Sequence, residues 1–252
     1  MKILLSPAKS ISLDQNYPAV NVSKAHFLTE SENLVGKLKK YSSKKLKALY
    51  SVSSDIAQLN HDRFQHWQSP LLANEQVKPC VFAFNGEVYR GLDALSLDPE
   101  ALDYLNSNTR ILSGLYGILK PLDLIYPYRL EMGTSFSVTP KVKNLYQFWG
   151  NKLTDYLNNE ESESIINLAS IEYFKAINTK LLKAKLINIQ FKEFKNGEYK
   201  MLMTYAKHAR GEMAKFAAHK KINLAEELKS FDYLGYQYME NMSSENEWVF
   251  VR

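Results

Sequence analysis

Between Leu112 and Gly133 the chain reads LSGLYGILKPLDLIYPYRLEMG, a run dense in residues that can do chemistry. Gly114, Gly117 and Gly133 let backbone approach a ligand closely or take positive φ. Backbone amides in the Gly114–Gly117 turn can face a phosphate. Lys120 and Arg129 add charge, and the Arg129 fork can hold phosphate through two bonds. The tyrosines, Tyr128 among them, can stack on bases. Against this stands a structural reading: a tightly turned crossover, with Arg129 and Glu131 engaged inside the fold. The Gly-Leu-Tyr-Gly turn has the look of a helix-hairpin-helix, which grips DNA backbone through hairpin amides. It carries one residue more than the usual glycine, apolar, glycine hairpin.

Three other segments offer similar groups. Ser6-Pro7-Ala8-Lys9 follows the first apolar run, and strand ends in α/β sheets are common ligand positions. Lys9 could reach a phosphate there, or act as a nucleophile or base if desolvated; a solvated lysine is the plainer reading. Asn167 to Lys175 spans a strand-to-helix junction. There Ser170 and Glu172 suit either a site or an ordinary helix start. Tyr205 to Gly211 places Lys207 and Arg210 three apart on one helix, a spacing suited to gripping phosphate, with Gly211 allowing close approach. Metal ligation has little support: His61 and His66 are five apart, and no HExxH motif or cysteine pair occurs. No Walker A or dinucleotide motif appears, and no cofactor is expected.

These residues need elements to hold them. Lys2 to Leu5 reads as a buried first strand. Ser23–Lys40, Ser43–Tyr50 and Ser53–Trp67 have helical periodicity, with capping groups at Ser54 and Asp55. Val77–Phe84 reads as a strand. Asp98-Pro99-Glu100 is a helix start, with a capping carboxylate before proline. Arg110–Ser113 and Ser164–Leu168 read as strands, Tyr128–Met132 as extended chain, and Leu145–Leu157 as a helix. Asn196-Gly197 is the strongest hairpin signal, between strands 185–194 and 198–205. Ala206–Lys221 and Asn223–Ser230 read as helices, and Leu234–Met239 with Glu247–Val251 as a last hairpin around Ser243-Ser244. The alternation gives a mixed α/β class, and the hairpins argue against a purely parallel sheet. The expected architecture is a mixed sheet covered by helices, one domain over 1–252, with residues 23–70 able to form a helical subdomain.

The 252 residues suffice for a sizeable core, and an apolar fraction of 45% with 23% charged is ordinary for a globular chain. No apolar run approaches the roughly 20 residues of a membrane span, and the N-terminus does not read as a signal peptide. Cys80 is the single cysteine, in an apolar run, and is expected to be a buried inert thiol. The net charge of +5 leans toward an anionic partner. Its distribution is uneven. Lys37, Lys39, Lys40, Lys44, Lys45 and Lys47 form one group, and Lys207, His208, Arg210, Lys215, Lys220 and Lys221 another. Taken singly, each run is an ordinary solvated helix face.

SPAKS, FNGEVYRGL, the Leu112–Gly133 segment, LYQFWG, INLASIEYFK and YAKHARGEM occur in this order along the chain. In these six motifs the sequence resembles the YaaA peroxide-stress family over nearly its whole length. The resemblance implies a cytoplasmic protein that limits peroxide damage linked to intracellular iron. It also implies an unusual α/β fold with a helix-hairpin-helix element and a basic, DNA-binding cleft. It assigns no catalytic residue. Two functions follow as expectations. In one, Gly114, Gly117, Lys120, Arg129, Lys207 and Arg210 hold DNA backbone without regard to sequence. In the other, Lys9, Tyr128, Glu131, Asn167, Ser170 and Glu172, with Arg129, form a pocket for a nucleotide, nucleobase or other anionic small molecule.

Overall fold

The computed structural model describes residues 1–14 and 16–252. Four short strands sit outside the main sheet: β2 (Ser10–Ile11) pairs with β4 (Phe84–Asn85), and β3 (Lys78–Pro79) with β7 (Leu124–Ile125). The main sheet has eight strands. β1 (Lys2–Leu5) lies inside it, parallel to β5 (Thr109–Ser113) on one side and β8 (Ser164–Asn167) on the other. β9 (Lys185–Lys195) follows β8 in parallel, and β12 (Glu247–Val251) follows β9 in parallel. Three antiparallel strands complete it: β6 (Gly117–Leu119) on β5, β10 (Glu198–Lys200) on β9 and β11 (Gln237–Tyr238) on β12. The parallel centre is continuously apolar because both of its faces are covered; Ile3, Leu4, Leu5, Ile165 and Ile166 are fully buried. The class is therefore mixed α/β.

The helices are α1 (Leu28–Leu38), α2 (Ser43–Tyr50), α3 (Ser54–His66), α4 (Cys80–Ala83), α5 (Glu87–Leu92), α6 (Pro99–Asn108), α7 (Leu145–Trp149), α8 (Lys152–Asn159), α9 (Ile171–Phe174) and α10 (Met203–Lys220). Ser42, Ser53 and Asp98 cap α2, α3 and α6 by accepting first-turn amides. The helices α1 to α3 share one hydrophobic cluster with the sheet, through Leu34 and Val35, Leu46, and Phe64 respectively. Ser31 Oγ also donates to the Leu115 carbonyl at 3.0 Å.

Several elements differ from the sequence expectation. Val77–Phe84 is not one strand. Pro79 has no N–H for a ladder, and the amides of Cys80 and Val81 are taken by the carbonyls of Asp123 and Pro121, so the run turns into α4. The helix expected from Ser23 begins at Leu28, because Ser23 is tied to the 122–124 loop through its amide and its hydroxyl. The helix expected over Leu145–Leu157 is two, divided where Gly150 takes φ of 50°. Residues 225–230 are a 3-10 helix. The Asn196-Gly197 hairpin is present, with φ of 55° and 83° at the two turn residues. Cys80 is buried, and burial raises its thiol well above the usual range, which keeps it protonated and inert.

Candidate functional site

The carboxyl ends of β1 and β8 lie side by side, and the chain leaves them at Ser6 and Asn167. β1 is continued on one side by β5 and on the other by β8, the arrangement whose strand ends commonly receive ligands. Ser6 Oγ accepts the Ser170 amide at 2.8 Å and lies 3.3 Å from Ser170 Oγ. Ser170 precedes α9 but its side chain caps nothing; it meets Ser6 instead. The Ser6 carbonyl accepts the Tyr89 hydroxyl at 3.0 Å, which ties α5 to the end of β1. Asn167 turns the chain out of β8. Its side-chain NH2 donates to Asn188 Oδ1 at 2.8 Å, and its side-chain oxygen accepts the Ala169 backbone amide at 3.0 Å.

The segment 128–133 crosses these strand ends. Arg129 Nη2 pairs with Glu131 Oε1 at 2.9 Å, and Lys9 Nζ reaches the same oxygen at 3.5 Å. Two cations thus share one carboxylate. Lys9 keeps its side chain 64% exposed while Glu131 is 13% exposed, so the cluster opens to solvent through the lysine. Arg129 Nε is buried and has no hydrogen-bond partner among the described residues. Glu172 Oε1 accepts the Gly133 amide at 2.9 Å, and the Glu172 carbonyl accepts the Tyr146 hydroxyl at 2.9 Å. The Tyr173 phenol is pushed above its usual range by burial first, then by Glu172 and Glu131, which places both carboxylates around it. Tyr50, the last residue of α2, has a buried hydroxyl with no hydrogen-bond partner among the described residues. Burial raises its phenol most; Glu131 raises it further and Arg129 opposes.

Lys9, Arg129, Glu131, Ser170 and Glu172 are therefore gathered at one end of the sheet. Other expected site residues lie elsewhere. The Gly114–Gly117 turn joins β5 to β6, two strands rather than two helices, and is buried throughout. A side chain at Gly114 would overlap the Leu130 carbonyl, and Gly117 has φ of 69° against Trp149 and Leu153. These glycines serve a close crossing of backbone, and burial keeps their amides from any phosphate in solvent. Tyr128 is also buried, its hydroxyl 2.6 Å from Ser113 Oγ, so it stacks on no base. Lys120 sits beside Lys2 and Arg110, near the amino ends of the parallel strands. On α10, Lys207 is exposed but Arg210 is buried, so the two form no common exposed stripe. Gly211 does allow close approach, to the Val88 carbonyl of α5 rather than to a ligand.

Tyr50, Tyr89 and Tyr146 adjoin the site outside the segments singled out from the sequence as site candidates, whereas Ser6 and Tyr173 lie within two of those segments, Ser6 to Lys9 and Asn167 to Lys175. Two concave surfaces border the cluster, one beside Tyr146 with Lys175 and Lys180, the other beside Tyr89 with Asn85 and Arg90. Among the described residues no group of three His, Cys, Asp or Glu side chains could hold a metal ion. No helix among them is long and apolar enough to cross a membrane.

Residues 1–242 match the family model described as peroxide stress protein YaaA. The chain is 45% identical over its full length to the UPF0246 protein of Idiomarina loihiensis, covering 98% of that protein. It is 46% identical to the UPF0246 protein of Neisseria gonorrhoeae strain FA 1090, again covering 98% of it. To that of Shewanella sp. strain ANA-3 it is 47% identical, covering 99%. The motifs that meet at the strand ends thus lie within a likeness running the length of the chain, and the chain belongs to the YaaA peroxide-stress (UPF0246) family.

Proposed function

We propose that this family member acts in peroxide stress by binding DNA, holding the duplex backbone along a basic face. That face runs from the lysines of α1 and α2 to Lys9 and Arg129 at the strand ends. The observation that carries the reading is the position of Tyr50. It ends α2 and feels both Glu131 and Arg129, so the lysine-rich helices adjoin the strand-end cluster. Lys40, Lys44, Lys45 and Lys47 are exposed. Helices α2 and α3 are joined by Ser51 to Ser53, with Ser51 left-handed. This pair, and not the Gly114–Gly117 turn, is the helical hairpin that supports a helix-hairpin-helix reading. Such contacts position a protein on DNA without reading sequence.

The test is duplex affinity against salt. Between 50 and 200 mM salt it should fall steeply, through counterion release. Replacing Lys40, Lys44 and Lys45 by Gln, all on the surface, should weaken binding on every sequence. It should also reduce the salt slope by about one for each phosphate no longer engaged. A salt-independent affinity, or an unchanged slope in the triple variant, would sink the proposal.

A second reading rests on a separate observation, the two cations Lys9 and Arg129 that share Glu131 at the strand ends, with Lys9 open to solvent. An anionic small molecule, nucleotide-like in its phosphate, would supply an acceptor there. It predicts that a nucleoside monophosphate raises the melting temperature and that Lys9→Gln abolishes the rise. If the variant keeps the full rise, the anion binds elsewhere.

A further inference from the structure

Among the described residues two arginines are buried, and the fold treats them differently. Arg110 is fully engaged: its Nε and Nη2 donate to Glu160, and its Nη1 donates to the carbonyls of Asn106 and Thr109. Arg210 is 9% exposed, and its guanidinium meets no carboxylate, carbonyl or ring among the described residues. Its Nε is shielded, whereas the two terminal nitrogens are not fully enclosed and open onto accessible space. Burial shifts this group below its ordinary value, and no neighbouring carboxylate opposes that. A guanidinium keeps its proton in proteins. The fold therefore holds a nearly buried positive charge without an internal counter-charge, which is costly unless something else pairs with it.

Arg210 stands on the core-facing side of α10, between Ala206, Ala209, Met213 and Ala214, all buried. It is the one charged side chain among the buried residues of that helix. Neighbouring Gly211 lies against the Val88 carbonyl of α5. From there α5 leads to the end of β1, because the Tyr89 hydroxyl holds the Ser6 carbonyl and Gly86 lies against Ala8. The core does not need a charge at this position, and a bound anion does. A guanidinium fork matches the paired oxygens of a phosphate or carboxylate. The narrow opening at Arg210 suits a small anion rather than a duplex, whose backbone calls for exposed cations. We infer that Arg210 anchors a small oxyanion, the phosphate or carboxylate group of a small molecule, on the α10 side of the strand ends. The inference does not rest on the duplex reading, and it differs from the small-molecule reading in the residue that holds the anion.

The full-length protein is melted at fixed ionic strength in chloride, with inorganic phosphate or acetate replacing chloride in two further arms. Wild type is compared with Arg210→Met, Arg210→Lys and Lys9→Gln, and duplex affinity is measured alongside. In chloride, Arg210→Met should melt at or above wild type, because an unpaired buried charge leaves while an apolar chain fills its place. Saturating phosphate or acetate should raise the wild-type melting temperature by about 5 °C. That rise should vanish in Arg210→Met, fall by about half or more in Arg210→Lys, which lacks the fork, and persist in Lys9→Gln. The arm that produces it identifies the anion as phosphate or carboxylate. An Arg210→Met protein that folds but melts well below wild type in chloride would show an internal partner and overturn the inference. Should that variant not fold, Arg210→Lys decides: full retention of the rise overturns the inference, and its loss supports it. A wild type indifferent to both anions would also overturn it, as would an equal rise in Arg210→Met, the mark of a general salt effect. A rise lost in Lys9→Gln but kept in Arg210→Met would leave the small-molecule reading standing and reject this one. Weaker duplex binding by Arg210→Met would place a DNA phosphate on Arg210 and reject it too.

Discussion

Ser6 shows how one hydroxyl organises the site. Its Oγ takes the Ser170 amide, and without it that donor is left in a partly buried place. Ser6→Ala should therefore lower stability by about 1–2 kcal/mol in urea unfolding. Ser170→Ala should cost less, because the backbone donor remains. If Ser170→Ala proves the costlier, the hydroxyl pair rather than the amide holds the two loops. Asp123 is a second case. Burial raises its carboxyl most, while Ser23 and the Lys120 amide act in the opposite direction and do not fully offset it. A folded-state value above the unfolded one contributes stability that is complete below the ordinary carboxylate range. That contribution is lost as pH rises through the raised value. Asp123→Asn should remove this dependence at little cost in stability, because the side-chain oxygen can accept the Lys120 amide while the NH2 donates to the Ser23 hydroxyl. Melting profiles against pH that keep the same shape in both proteins would show that Asp123 does not titrate in that window.

At the scale of elements, α5 and α10 pack most closely where glycine permits it. A side chain at Gly211 would overlap the Val88 carbonyl, and one at Gly91 the His208 carbonyl. Alanine is the better helix former by about 1 kcal/mol. Gly211→Ala should still destabilise the protein by about 1–3 kcal/mol, because backbone, not a flexible side chain, stands in the way. A rise in melting temperature would mean that the helices separate without penalty. His208 lies between Glu87 at 3.7 Å and Glu212 at 3.5 Å on this same contact, and Lys215 pairs with Asp93 at 3.1 Å. His208 and Lys215 of the basic α10 run are thus engaged with α5 and the residue that ends it, whereas Lys207 and Lys220 are exposed. The interior glycine of that helix was visible in the sequence. Its partner was not, because α5 and α10 are far apart in the chain.

The whole molecule carries +5, but its distribution matters more than the total. The α1–α2 lysines adjoin the strand ends, whereas Lys120 stands near the amino ends of the same strands. A duplex gripped by the first group need not touch Lys120. Lys120→Gln should therefore leave duplex affinity within about twofold, and the salt slope unchanged, against the weakening expected for the α1–α2 variant. Equal weakening in the two variants would mean that the DNA-binding surface wraps the molecule. Peroxide sensitivity of cells carrying each variant would then link binding to the family's stress role.

Short-range chemistry controls part of this structure, and that part is readable from the chain alone. The Asp98-Pro99 helix start, the Asn196-Gly197 turn, the buried β1 run and the amphipathic α2 and α3 each follow from side chains within a few residues of one another. The family, too, was legible, in six ordered motifs. Where long-range partners compete, local pattern was insufficient. Pro79 and the carbonyls of Pro121 and Asp123 converted an apolar strand-like run into α4, and Ser23 joined a distant loop instead of its own helix. The site divides along the same line. Lys9, Arg129, Glu131, Ser170 and Glu172 could be named as residue types suited to a site. That they meet is a consequence of the fold, because parallel strands bring the ends of β1 and β8 together across about 160 residues of chain. The Leu112–Gly133 segment was divided by that packing. Its first half became a buried hairpin whose glycines serve close packing, and its second half carries Arg129 and Glu131 across the strand ends.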